Sequence, residues 1–178
     1  MLIELEGTKR EIYEYIKRNP GAHLRKIKRD LGIGMGNLQY HLYALEKLGM
    51  VKTRRQGLYK FVFPAGIFGE KQTIILGALG LETEREILLR LAENGALTQG
   101  ELVKLLGVSA ATMTWHMKRL VENEIVERKR IGKEVSYSLL GERDEVLKFI
   151  ENYQPVFWQK WSSRLADTVI SLGGNEDG

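Results

Sequence analysis

Ile12 and Ile16, then Leu24, Ile27 and Leu31, then Leu38, Leu42 and Leu45 recur at steps that place each set on one face of a helix. Three short amphipathic helices are predicted, each with its apolar stripe inward. Asn19-Pro20-Gly21 closes the first, and Gly32 falls between the second and third, where a glycine supplies the left-handed backbone that ends one helix and turns the chain into the next. The third helix covers about residues 34–48. After it the pattern changes: residues 50–55 and 58–63 flank Gln56-Gly57, a β-hairpin signal.

The same succession returns 75 residues later. Thr8-Lys9-Arg10-Glu11-Ile12 aligns with Thr83-Glu84-Arg85-Glu86-Ile87, an offset of 83 − 8 = 75, and the register continues through Leu31/Leu106, Gly32/Gly107, Tyr40/Trp115, His41/His116, Leu45/Leu120 and Gly57/Gly132. In this copy Ile87, Leu88 and Leu91 face inward, Thr98-Gln99-Gly100-Glu101 has the spacing of a capping box, the third helix covers about 109–123, and Ile131-Gly132-Lys133 sits in the hairpin turn. Thr8 and Thr83 are the expected N-caps of the two first helices.

The repeat also decides how to read Gly32-Ile33-Gly34-Met35-Gly36, which taken alone resembles a phosphate-cradling glycine loop before a helix. Only Gly32 recurs; Gly34 and Gly36 become Ser109 and Ala111, residues suited to a helix cap and first turn. Two helices joined at a glycine, followed by a hairpin, describe a winged helix-turn-helix. The fold class expected is mainly α with small β-hairpins (α+β), as two tandem domains plus a C-terminal helix. The boundaries expected are a first domain at 1–63, a partly packed linker at 64–81, a second domain at 82–140, a helical segment at 141–172 and a disordered tail at 173–178.

Thr8-x-Arg10-Glu11-Ile12, Asn19-Pro20-Gly21, Tyr40-His41-Leu42-x-x-Leu45-x-x-x-Gly49 and Phe63-Pro64-Ala65, followed by a second such unit, resemble archaeal transcriptional regulators with two winged helix-turn-helix domains per chain, in the arsenic-repressor-like winged-helix superfamily. The second unit departs from the pattern, with Trp115-His116-Met117 and with Glu124 in the place of Gly49. The resemblance implies a non-enzymatic DNA-binding protein.

Charge sharpens this expectation. The net charge is +4, but residues 1–63 carry thirteen Lys/Arg against six Asp/Glu, so the basic character lies in the first third. On the outward face of the third helices, Gln39, Asn37, Tyr40 and Tyr43, with Thr112, Thr114 and Trp115 in the second copy, are the candidate base contacts, because a helix face with amide and small side chains suits the major groove. The candidate phosphate contacts are Lys47, Lys52, Arg54, Arg55 and Lys60, and Lys118, Arg128, Lys129, Arg130 and Lys133. With no cysteine and three scattered histidines, no metal or cofactor is expected, and neither repeat contains a carboxylate pair or nucleophile motif suited to catalysis.

The tail adds a different pattern. Phe157, Trp158, Trp161 and Leu165 fall on one stripe after Pro155; an apolar face holding two tryptophans must be buried, either back on its own domains or, the reading favoured, in a homodimer through this helix. Double-stranded DNA is thus the expected partner, with the basal transcription machinery a further candidate. The alternative is a winged-helix protein-interaction module in a transcription complex. The longest apolar run, 74–81, is far short of the about 20 residues that span a bilayer, and the N-terminus lacks the pattern of a signal peptide, so no membrane partner and a cytoplasmic location are expected.

Overall fold

A computed structural model describes residues 5–141, 143–154 and 162–163. The first repeat forms α1 (Gly7–Arg18), β1 (Ala22–His23), α2 (Leu24–Leu31), α3 (Met35–Lys47), β2 (Val51–Gln56) and β3 (Tyr59–Pro64). Then come α4 (Glu70–Leu79) and the second repeat, α5 (Glu82–Asn94), β4 (Ala96–Thr98), α6 (Gln99–Leu106), α7 (Ala110–Glu122), β5 (Val126–Ile131) and β6 (Glu134–Leu139), followed by α8 (Arg143–Tyr153). The two sheets are antiparallel, with orders β1-β3-β2 and β4-β6-β5, so each hairpin takes on the short strand that precedes its second helix.

The turn chemistry agrees with the repeat. Gly32 and Gly107 both close their helices in the left-handed region, at φ 63° and 68°. Thr98 and Glu101 form the capping box, and Ser109 Oγ accepts from the Thr112 N–H (3.1 Å). The expected caps Thr8 and Thr83 are corrected: α1 and α5 start one residue before them, after Glu6 and Leu81, neither of which caps with its side chain. At α5 the reason is packing. Leu81 is buried, and the chain turns from α4 into α5 with only Gly80 and Leu81 between them.

Two cores result. The first gathers Ile12, Ile16, Ile27, Leu38, Leu42, Leu45, Val51 and Val62. The second joins α4, α5, α7 and α8, and it also takes Phe61 and Phe63 from β3. The second core thus reaches across residue 63 into the first hairpin. Successive strand residues point to opposite faces, so Phe61 and Phe63 lie on one side of β3 and Val62 on the other, and both sides are fully buried. The expected linker is largely helix α4, which docks on the turn after α1: a Cβ built on Gly21 would lie 2.6 Å from the Leu76 carbonyl oxygen, and one on Gly80 2.4 Å from that of Gly21. Glycine at both positions permits that approach.

Candidate nucleic-acid interface

The stripe Leu38, Leu42 and Leu45 holds α3 against the first core, and the 3.6-residue period then forces the intervening residues outward. Asn37, Gln39, Tyr40, Tyr43 and Lys47 are all exposed, Tyr40 at 71% and Tyr43 at 62%. Two large aromatics on this face are therefore left uncovered by the second domain. Lys47 Nζ lies 5.4 Å from the Tyr43 ring centroid, so this end of the face combines an aromatic surface with a positive charge. Gly36 is exposed too, with nothing within 4 Å of a Cβ built there.

The basic residues of the first hairpin divide between its faces. Register pairs Arg55 with Lys60 on the side that carries Val62, and pairs Lys52 with Phe63 and Arg54 with Phe61 on the side turned to the second core. Lys52 Nζ donates to the Phe68 carbonyl (2.9 Å), and Arg54 Nη1 lies 3.8 Å from Glu70 Oε1. Arg55 is exposed and Lys60 half-buried. One contiguous cluster of four charges is therefore not formed.

On α7, Thr112, Thr114 and Lys118 are exposed and Trp115 is 42% exposed. Thr114 Oγ1 donates to the Ala110 carbonyl and accepts from Gln99 Nε2. In the second hairpin Arg128, Lys129, Arg130 and Lys133 are placed outward; Lys129 pairs with Glu127 (2.7 Å), and Arg130 Nε donates to the Gly132 carbonyl. The expected dimerisation residues Phe157, Trp158, Trp161 and Leu165 lie outside the described residues, as does the 173–178 tail.

The two matched histidines have different surroundings. His116 Nδ1 lies 3.2 Å from Glu84 Oε1, and the same oxygen is 3.2 Å from Arg119 Nε. Glu84 is wholly buried, and His116 and Arg119 nearly so. Sequence reasoning passed over Glu84 and Arg119, yet a signal was present: the repeat mates are Lys9 and Ala44, so a charge pair appears where the first copy has neither member. In the first repeat His41 Nδ1 is buried without a hydrogen-bond partner among the described residues. No group of three or more His, Asp or Glu side chains among the described residues is placed to hold a metal, and no helix among them is long and apolar enough to cross a membrane.

Elsewhere the first domain carries its own polar clamp. Tyr15 Oη donates to Asp30 Oδ2 (2.7 Å), and Lys26 and Arg29 also reach this carboxylate. Burial pushes the Asp30 carboxyl up, but the hydrogen bonds from Lys26 and Tyr15 outweigh it and bring the pKa down to about 2. The clamp ties α2 to α1.

Residues 6–74 match a family profile described as an N-terminal HTH domain, and residues 81–127 match one described as winged helix-turn-helix DNA-binding. The chain is a tandem winged helix-turn-helix protein. It is 31% identical over 145 residues to an uncharacterized HTH-type transcriptional regulator, MJ1398, of Methanocaldococcus jannaschii, an alignment covering 82% of this chain and 36% of that protein. The tandem winged-helix chain thus spans little more than a third of that relative's length. Solved structures that overlap about half of it include HlyU from Vibrio cholerae (TM-score 0.43, 25% identity, 47% of this chain and 91% of that one) and the transcriptional repressor PagR of Bacillus anthracis (0.42, 20%, 47% and 94%).

Proposed function

We propose that this protein is a sequence-specific DNA-binding transcriptional regulator whose first domain is the principal reader. The observation that carries this is the open face of α3: Asn37, Gln39, Tyr40 and Tyr43 project from a helix seated on its core by the opposite stripe. Such a helix fits the major groove, where the Gln39 amide can pair in bidentate fashion with adenine. Gly36 lets the helix N-terminus approach closely. Lys47 at the far end of α3, with Arg55 and Lys60 on the hairpin, would meet phosphates and set orientation without reading sequence. Arg54 and Lys52 contribute less, since each is engaged by the segment that follows the hairpin. The exposed second hairpin supplies further phosphate contacts, and Thr112, Thr114 and Trp115 form a subsidiary reading surface. A homodimer through the C-terminal segment, resting on its sequence stripe, would present two readers to symmetric half-sites.

Selection from a random duplex library, followed by titration of the selected site and of scrambled DNA, tests the reading. Gln39→Ala should cost about 1–3 kcal/mol on the selected site and little on scrambled DNA. An unchanged ratio between the two would remove α3 from base recognition. Failure to enrich any sequence, with no salt-dependent retention on duplex, would favour a protein-interaction module instead.

A further inference from the structure

The side of the first hairpin turned away from Val62 does not end in solvent. Arg119 of α7 reaches it: the guanidinium carbon lies 5.5 Å from the Tyr59 ring centroid, 5.4 Å from that of Phe61 and 5.8 Å from that of Trp115, and Nη2 donates to Gln56 Oε1 at 3.5 Å. Gln56 is the last residue of β2 and stands at the hairpin turn. Next to this contact is a cleft of about 250 Å³ between Gln56-Gly57 and the α7 residues Trp115, Lys118 and Glu122. Behind the guanidinium, Glu84 holds Nε and His116 together.

We propose that Arg119 is a positioning residue: anchored by Glu84 in the second domain, it fixes the angle of the first hairpin and so sets where Arg55 and Lys60 meet the DNA backbone. Three observations support it. The pair has no counterpart in the first repeat, where the positions hold Lys9 and Ala44, so the winged helix folds without it. Glu84 Oε2 and Arg119 Nε and Nη1 are buried with no hydrogen-bond partner among the described residues, Nε meeting Glu84 Oε1 as an ion pair only, which is poor design for a pair kept for stability alone. Finally, of the three rings around Arg119, Tyr59 and Phe61 belong to the first hairpin, so the charge bridges the two domains. The proposal makes second-domain residues determinants of first-domain affinity, and it rests on the DNA-binding reading above.

The test uses the full chain. Arg119→Met alone strands a buried carboxylate, so the informative variant is Glu84→Leu with Arg119→Met, which removes both charges at similar volume and is expected to fold. Gln56→Ala probes the same joint from the hairpin. Amide hydrogen exchange and ¹⁵N chemical shifts of residues 56–60 report the hairpin directly; faster exchange there, with the α3 amides unchanged, is expected in the double variant. Duplex affinity should fall about three- to tenfold, the salt slope should flatten by about one for each phosphate no longer neutralised, and Arg55→Ala should then add little. Unchanged exchange and shifts at 56–60 would overturn the proposal, as would a weakened affinity at unaltered salt slope with a fully additive Arg55→Ala. If the wild-type chain does not bind duplex, the DNA reading fails, and the hairpin amides still decide whether Arg119 positions the hairpin.

Discussion

Replacing Gly80 with alanine tests the seam between the domains by the sign of its effect. Gly80 closes α4 at φ −70° and ψ −14°, a conformation open to any residue, so backbone preference alone makes alanine the better choice. Were the site open, the substitution would stabilise by about 0.4–1 kcal/mol, mostly by restricting the unfolded chain. The structure predicts the reverse. The new Cβ would lie 2.4 Å from the Gly21 carbonyl oxygen and 3.2 Å from that of Gly77, and the closer contact is with backbone that no rotamer change can move. Relief requires α4 and the α1–β1 turn to part by most of an ångström, and overpacking of this kind costs about 1–3 kcal/mol. Subtracting the entropic gain leaves a net destabilisation of about 1–2 kcal/mol, or a melting-temperature drop of about 2–8 °C for a chain of this size. Urea and thermal unfolding, followed by far-ultraviolet circular dichroism, measure it. Gly36→Ala is the control, since nothing lies within 4 Å of its Cβ and it should gain stability. Stabilisation by Gly80→Ala would show that α4 does not seat against the turn at Gly21, and the account of the domain seam would fall with it.

Other outcomes follow from single residues. Glu124 sits at φ 55°, where its repeat mate Gly49 has φ 69°, so Glu124→Gly should raise stability by about 1 kcal/mol in the same unfolding assays. The Asp30 carboxyl is depressed to about 2 from an ordinary 3.8, so its clamp contributes fully above about pH 4 and is lost as pH falls toward 2; Asp30→Asn should lower stability at neutral pH, and the gap should close across that interval in acid titrations of unfolding. Light scattering at tens of micromolar should give twice the 20.4 kDa chain mass, and Trp158→Ala with Trp161→Ala should halve it; a wild-type monomer would refute the dimer.

Much of the fold was legible because the pattern occurs twice. The turn glycines, the capping box of α6 and the leucine stripe of α3 are local devices, and the recurrence of the glycines and the apolar stripe at one offset separated signal from accident. Packing between the repeats was harder to read. Phe61-Val62-Phe63 is a run of apolar residues, the mark of a strand covered on both sides, but only the spatial neighbour of the second side explains it. The charge count in the first hairpin likewise concealed a division, since alternation along β2 sends Lys52 and Arg54 to one face and Arg55 to the other. Glu84 and Arg119 were visible only as breaks in the repeat.

The two-sided burial of β3 also bears on how such a chain can be inherited and handled. Tandem domains are commonly treated as beads that recombination or a protease can separate. Here a cut after residue 63 would strip Phe61 and Phe63 of their cover and leave an aromatic, aggregation-prone sheet face on the first fragment and a gap in the second. The smallest excisable unit around the first repeat must therefore retain α4, and chimaeras that exchange one repeat between relatives should stay soluble only when β3 and α4 come from the same parent.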